Sequence, residues 1–146
     1  MVGGRRARDS GGELSPTSVS AYKCGKTFVW GGVCQFGRGA GASSTFSVAK
    51  RHNSIRLKVA VAFLDYWFNN AEFVVRVDGQ LVWSVNPSLL PRAGWICGCC
   101  WDVGMVVANI EVVHSSDEAT VELGSTMSTN SCDDSWGLVG VEVEGL

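Results

Sequence analysis

Charged side chains are scarce in this chain, and neither sign dominates. Asp, Glu, Lys and Arg make up 18% of the 146 residues, against about 25% in an average soluble domain. The 12 basic and 14 acidic residues leave a formal net charge of −2. Because no overall positive field would attract a polyanion, the composition argues against nucleic acid as a partner.

Long apolar segments are also missing. No run approaches the roughly 18 residues of a membrane-spanning helix, so we expect no membrane span. Residues 1–20 lack the apolar stretch of about 7–15 residues found in a secretory signal. They carry paired glycines and three arginines instead, without periodicity. We therefore expect a flexible leader over 1–20 and a single domain over 21–146.

The familiar catalytic signatures are absent as well. The chain has no G-x-S-x-G elbow, no phosphate-binding P-loop and no H-E-x-x-H motif. Its two histidines, His52 and His114, each lie next to Asn or Ser at the boundary of a predicted strand. That setting is typical of a turn or packing residue rather than a general base, so we expect no enzyme.

Period-two alternation is the main structural signal. Arg56 and Lys58 begin the polar face of one long segment, 54–64, while Ala60, Ala62 and Leu64 indicate that this face is covered further along. The opposite face is apolar throughout: Ile55, Leu57, Val59, Val61 and Phe63. Such a segment is predicted to be a strand with one face in the core.

Turn signals separate this strand from others. Asp78-Gly79 supplies the positive φ angles of a two-residue hairpin loop. We predict about eight strands and no helix, which is typical of an antiparallel jelly-roll-type β-sandwich, with an immunoglobulin-like sandwich as the alternative. The predicted strands are 27–30 (ending at Gly31-Gly32), 44–48, 54–64, 72–77, 81–83, 105–113, 119–123 and 136–144, with a polar loop over 124–134.

Six cysteines allow three interpretations. Disulfides are favoured in an oxidising compartment, so an extracellular or organelle-lumen location is favoured only if the cysteines are paired. A structural zinc site would need better-spaced ligand pairs, and free buried thiols are the third option. We expect Cys24 to pair with Cys34, and Cys132 with one of the clustered cysteines. The disulfide candidates are Cys24, Cys34, Cys97, Cys99, Cys100 and Cys132.

Oxygen-bearing side chains lie between the two clearest strands and just before the last one. Loops at one end of a sandwich converge, so their carboxylates could hold Ca²⁺, with Asp65, Glu72 and Asp134 as ligands. The alternative is that Asp and Asn are simply good loop formers. With two tryptophans, whose flat rings suit sugars or protein partners, the candidate ligand-binding residues are Asp65, Trp67, Asn69, Asn70, Glu72, Asp134 and Trp136. We expect at least half of the six tryptophans to lie in the core.

Several short motifs together resemble a known family. They are His52-Asn53-Ser54, Asp65-Tyr66-Trp67, Val77-Asp78-Gly79, His114-Ser115-Ser116 and Asp134-Ser135-Trp136-Gly137. Over about residues 22–144 the pattern is similar to galactose-binding-like jelly-roll modules of protist extracellular proteins. Tyr66 and Phe68 replace polar positions of that pattern's acidic loop, so the resemblance implies the fold more than a ligand.

Two functions remain open at this point. The first is a non-catalytic binding module, lectin-like or adhesive, that uses loops at one end of the sandwich to contact carbohydrate or protein. The second is an accessory structural subunit that docks into a larger protein assembly through a sheet face. Apart from Ca²⁺ at the acidic loop, we expect no cofactor.

Overall fold

The computed structural model describes residues 21–24, 27–36, 41–65, 67, 71–91, 104–126 and 134–146, with the backbone alone described at 21–24, 27–36, 65 and 134. The predicted leader over 1–20 lies outside these ranges. Within them the chain forms nine strands and one short 3₁₀ helix, Pro87–Leu89. The strands are β1 Ala21–Cys24, β2 Thr27–Phe36, β3 Gly41–Ser47, β4 Ser54–Asp65, β5 Phe73–Val77, β6 Gln80–Val85, β7 Gly104–Val113, β8 Glu118–Ser125 and β9 Asp134–Gly145.

Two antiparallel sheets make up the structure. The five-stranded sheet has the order β1-β2-β9-β4-β7, and the four-stranded sheet has the order β3-β8-β5-β6. Apolar side chains of both sheets form one core. This confirms the prediction of an all-β antiparallel sandwich. The described residues include no helix long and apolar enough to span a bilayer.

The strand β4 is an inner strand of the larger sheet and pairs with β7 on one side and β9 on the other. Its five predicted core residues are fully buried, and Arg56 and Lys58 are exposed, as the alternation predicts. Ala62 and Leu64 are also fully buried. The outer face of β4 is therefore solvated at its start and covered at its end, in agreement with the sequence prediction.

Several predicted boundaries are wrong, and two of the misplaced strand ends lie at glycines, Gly31 and Gly124. The second strand does not end at Gly31-Gly32 but continues to Phe36. Its pairing with β9 shifts there, because Gly31 is opposite Gly137 while Phe36 is opposite Trp136. Glycine in a strand often marks such a bulge rather than a strand end.

The predicted polar loop over 124–134 is too long at both ends. Gly124 and Ser125 belong to β8, and Asp134 begins β9. A Cβ atom on Gly41 would come within 2.5 Å of the Leu123 carbonyl oxygen, so β3 approaches the end of β8 too closely for a side chain at that position. Gly124 pairs with Gly41 there, so β8 continues through a residue of low strand propensity.

The two ends of the sandwich differ in the length of their connections. Since the strands alternate in direction, odd-to-even connections lie at one end, which we call the turn end, and even-to-odd connections lie at the other, the loop end. The turn-end connections are 25–26, 48–53, 78–79 and 114–117. The loop-end connections are 37–40, 66–72, 86–103 and 126–133.

The hairpin at 78–79 has the backbone that the Asp-Gly pair predicts. Asp78 has φ 50° and Gly79 has φ 83°, and Val77 pairs with Gln80 across the turn. Both central residues therefore have the left-handed conformation of a type I′ turn, which matches the twist of the flanking strands.

A pair of glycine substitutions tests this conformation. Gly79→Ala and Gly140→Ala each place a methyl group where no atom lies within 4 Å, but only Gly79 has a positive φ. We expect Gly79→Ala to lower the free energy of unfolding by about 1–2 kcal/mol through backbone strain alone, while Gly140→Ala changes it by less than about 0.5 kcal/mol. Urea denaturation of both variants measures the difference, and equal effects would contradict the turn assignment.

Candidate functional site

The predicted ligand-binding residues that the structure describes all lie at the loop end. Asp65 ends β4 and Asp134 begins β9, and the two are register partners on adjacent strands. Glu72 directly precedes β5 in the other sheet. Asn69 and Asn70 lie outside the described residues, within the connection that joins Asp65 to Glu72. The register therefore brings Asp65 and Asp134 together, on the sheet opposite Glu72.

Trp67 and Trp136 lie inside the sandwich. Their side chains are 1% and 0% exposed, so neither indole offers a face to a ligand, and as direct ligand contacts both predictions are corrected to core positions. Trp83 is partly buried and packs against the core. Of the tryptophan side chains that the structure describes, two are fully buried and one partly. The physical reason is size, because an indole at an inward strand position fills core volume that smaller residues leave empty.

Both buried indoles belong to an aromatic cluster beneath the loop end. Phe73 is at its centre, with ring centroids 4.9 Å from Trp136, 5.3 Å from Phe63 and 6.3 Å from Trp83. Trp67 joins through Phe63 at 5.4 Å. All four pairs meet edge to face, the arrangement that ring quadrupoles favour, and each adds about 0.5–1.5 kcal/mol beyond its buried area.

Hydrogen bonds fasten the loop end to this cluster. The Trp67 Nε1–H donates to the Ser135 carbonyl oxygen over 3.2 Å, which ties the connection after β4 to the start of β9. The Glu72 backbone N–H donates to Thr126 Oγ1 over 2.9 Å, and the Thr126 N–H donates to the Glu72 carbonyl oxygen, also over 2.9 Å. The two bonds between Glu72 and Thr126 join the segment before β5 to the end of β8. Two of the loop-end connections are thus anchored next to the described core.

The backbone alone is described at two of the six candidate cysteines. Cys24 is opposite Thr27 in the β1–β2 pair, and Cys34 lies seven positions further along β2. The register of β2 against β9 shifts between Gly31 and Phe36, so β2 is not regularly extended up to Cys34. The Cys24–Cys34 bridge stays a prediction. The other candidates lie outside the described residues: Cys97, Cys99, Cys100 and Cys132.

Ca²⁺ binding at Asp65, Glu72 and Asp134 stays a prediction. The register pair Asp65–Asp134 places two acidic residues side by side, an arrangement that is destabilising without a compensating charge. The described side chains contain no group of three metal-ligating residues, but those of Asp65 and Asp134 are not among them.

A polar cluster at the turn end was missed in the sequence analysis. His52 and His114 are buried packing residues, as their positions predict. They also contact each other and Asp78 of the hairpin. A signal for this contact existed in the β4–β7 pairing. Ser54 is opposite Val113, so the residues just outside that pair, one of them His114, must lie close together.

Comparison with known proteins yields structural similarity alone. No protein-family model matches the chain, and no curated protein matches it. The chain is similar to the C-terminal CBM6 of LamC, a marine laminarinase from Zobellia galactanivorans, with a TM-score of 0.49 and 10% identity over 90% of each chain. It is also similar to a family 35 carbohydrate binding module from an environmental isolate, with a TM-score of 0.43 and 11% identity over 91% of this chain and 93% of that one. At these values neither similarity indicates a ligand.

Replacing Trp67 tests the anchoring role of its indole. Trp67→Phe removes the hydrogen bond to Ser135 and leaves a buried carbonyl oxygen without this donor, so we expect the free energy of unfolding to fall by about 1–3 kcal/mol. Trp83→Phe is the control, since Trp83 is only partly buried and the same change there should cost less. Chemical denaturation measures both variants. Equal losses would show that the Trp67 bond contributes nothing.

Proposed function

We propose that this chain is a non-catalytic binding module, lectin-like in mode, that contacts its ligand through the loop end. The observation that carries the proposal is the asymmetry of the two ends. The turn end is closed by short connections, while the longest connection, 86–103, starts and finishes at the loop end above the aromatic cluster. Binding residues commonly lie on loops that a rigid scaffold positions.

The residue types in these connections suit a carbohydrate. Trp95 and Trp101 lie in the longest one, and Asn69, Asn70 and Asp133 lie in two others. An indole face packs against the apolar face of a sugar ring. Amide and carboxylate groups accept and donate the hydrogen bonds that sugar hydroxyls require. In this proposal the buried Trp67 and Trp136 support the site from below and do not touch the ligand.

Calcium has a defined place in the proposal. A cation between Asp65 and Asp134 would relieve the repulsion of two carboxylates that are register neighbours. The carboxylate oxygens of Asp65 and Asp134 are hard ligands, the kind that Ca²⁺ prefers. Binding would then depend on calcium at the loop end and be lost with a chelator, while a site formed by the indoles and amides alone would be indifferent to it.

A glycan array, probed with and without calcium, tests the proposed function. We expect binding to a limited set of glycans, and we expect Asn69→Ala with Asn70→Ala, or Asp65→Asn with Asp134→Asn, to weaken it at least tenfold, about 1.4 kcal/mol. Asp117→Asn is the matched control, because it removes the same charge from an exposed residue at the turn end.

Two results would overturn this function. One is an array without a bound glycan under either condition from a folded protein. The other is equal weakening by the loop-end variants and by Asp117→Asn, which would mean that the ligand does not contact the loop end.

A second function is favoured by one specific surface. The strand β7 is an edge of the larger sheet and pairs only with β4 in the described part of the chain. On its outer face Met105 and Val107 are 48% and 51% exposed. An edge strand with apolar neighbours can pair with a strand of another protein. We propose this edge as the docking surface if the chain is an accessory subunit of an assembly.

Co-purification from the native source tests the docking function. We expect Val107→Lys to release a partner, because it places a charge in the apolar edge, and Asn109→Lys to retain it, because that outward position on the same strand is already polar. Size-exclusion chromatography gives the readout. A free monomer in the unmodified protein, or equal release by both variants, would rule against β7 as the interface.

A further inference from the structure

Three turn-end connections meet in a polar cluster built on two buried histidines. His52 comes from 48–53, His114 from 114–117 and Asp78 from the 78–79 hairpin. The imidazole rings of His52 and His114 are nearly parallel, with centroids 5.2 Å apart and planes 9° apart, and they meet through their edges. His52 Nε2 and His114 Nδ1 are separated by 2.9 Å. Both residues are largely buried, at 5% and 8% exposure. We call these three residues the turn-end cluster.

The two outer ring nitrogens face oxygen atoms that accept hydrogen bonds. His52 Nδ1 contacts the Lys50 carbonyl oxygen. His114 Nε2 lies 3.1 Å from the Glu118 carbonyl oxygen and 3.1 Å from Asp78 Oδ2. It is also 3.3 Å from Ser116 Oγ, whose hydroxyl donates to the Glu118 carbonyl oxygen over 3.1 Å and so does not supply a hydrogen to the ring. Carbonyl and ionised carboxylate oxygens have no proton to donate. Each outer nitrogen must therefore carry a hydrogen for these contacts to be hydrogen bonds.

The inner nitrogens then share one further proton. A hydrogen bond between His52 Nε2 and His114 Nδ1 needs one donor and one acceptor, so one of the two is protonated and the other is not. The four ring nitrogens thus hold three hydrogens, one more than two neutral imidazoles carry. With every one of these contacts a hydrogen bond, the histidine pair bears a single positive charge next to the carboxylate of Asp78.

We propose that the turn-end cluster is a proton-binding site. It stabilises the packing of the three turn-end connections against one another only while one proton is bound. Losing the proton leaves a bare ring nitrogen against a carbonyl or carboxylate oxygen. Gaining a second places two N–H groups against each other at a distance of 2.9 Å. Either change costs a buried hydrogen bond and leaves a polar group unsatisfied. The cluster is therefore stable over an intermediate pH range and weakens on both sides of it.

Among the nearby charged side chains, Asp78 is distinguished by its contact with His114 and not by burial, since its side chain is 46% exposed. The segments that meet here also carry Lys50, Arg51, Asp117, Glu118 and Glu144. The first four are exposed to solvent, and Glu144 has its register partner Arg56 on the outer face of the larger sheet. Asp78 is the acidic side chain in contact with the pair among the described residues. Its other oxygen accepts from the Thr120 N–H over 2.9 Å, which links the proton site to the hairpin and β8.

Backbone hydrogen bonds and close packing surround the two histidines. The His114 N–H donates to the Asn53 carbonyl oxygen over 3.0 Å, and the Leu146 N–H donates to the Ser54 carbonyl oxygen over 2.9 Å. A Cβ atom on Gly145 would lie 3.4 Å from His52 Cβ, so the end of β9 packs directly on this histidine. Separation of the two rings would loosen these contacts together.

Ring-nitrogen NMR tests the proton count directly, because the chain has only two histidines. At roughly neutral pH we expect three of the four ring nitrogens to carry a hydrogen. In Asp78→Asn the left-handed turn residue is retained but the negative charge is lost, so we expect two neutral rings with two hydrogens in place of the three-hydrogen pattern. Two neutral rings in the folded wild-type protein, or the three-hydrogen pattern unchanged in Asp78→Asn, would overturn the proposal.

Amide hydrogen exchange tests whether the bound proton stabilises the turn-end connections. Protection factors for the His114 and Leu146 amides should be greatest at an intermediate pH. Opening takes up one proton in acid and releases one in base, so protection should fall about tenfold for each pH unit on either side. Asp117→Asn is the control for charge, and core amides of β4 are the internal reference. Protection that is flat with pH, or that changes equally in β4, would overturn the proposal.

Discussion

The register of β4 is the constraint on which the rest of this structure depends. This strand pairs along its whole length with β7 and β9, and each inward residue from Ile55 to Phe63 is fully buried. A shift by one residue would turn Arg56 and Lys58 into the core, at a cost far above the stability of a domain this size. The same register places Asp65 beside Asp134 at one end and brings the chain near Ser54 against Val113 at the other.

Much of this architecture could be predicted from the sequence, because it depends on local patterns. The alternation in 54–64 predicts both the core face and the late burial of Ala62 and Leu64. Asp78-Gly79 predicts its turn, since few other dipeptides tolerate two positive φ angles. The misplaced boundaries at Gly31 and Gly124 have one cause. Low strand propensity marks a strand end only where no neighbouring strand holds the backbone, and here β9 and β3 do.

The sites were harder to predict, since they depend on pairings between distant residues. Trp67 and Trp136 have the residue type of a sugar-binding surface, and only the packing of Phe73 against Trp136 shows that they fill the core. His52 and His114 are 62 residues apart, and each alone has the character of a turn residue. Their contact follows from strand pairing, which periodicity does not reveal. Residue type predicts the chemistry a side chain can do, but the register determines its neighbours.

The difference in connection length between the two ends of the sandwich has a physical reason. Long connections cost little in closure entropy and can vary in sequence without disturbing the strands that they join. In the proposed function they need a rigid base, and the edge-to-face packing of Phe73, Phe63 and Trp136 would supply it. Short turns at the opposite end expose little backbone, so a single buried contact such as His52–His114 can hold several of them. Because β4 is paired with β7 and β9 between the two ends, we expect a change in protonation at the turn end to leave Asp65 and Asp134 at the loop end unaffected.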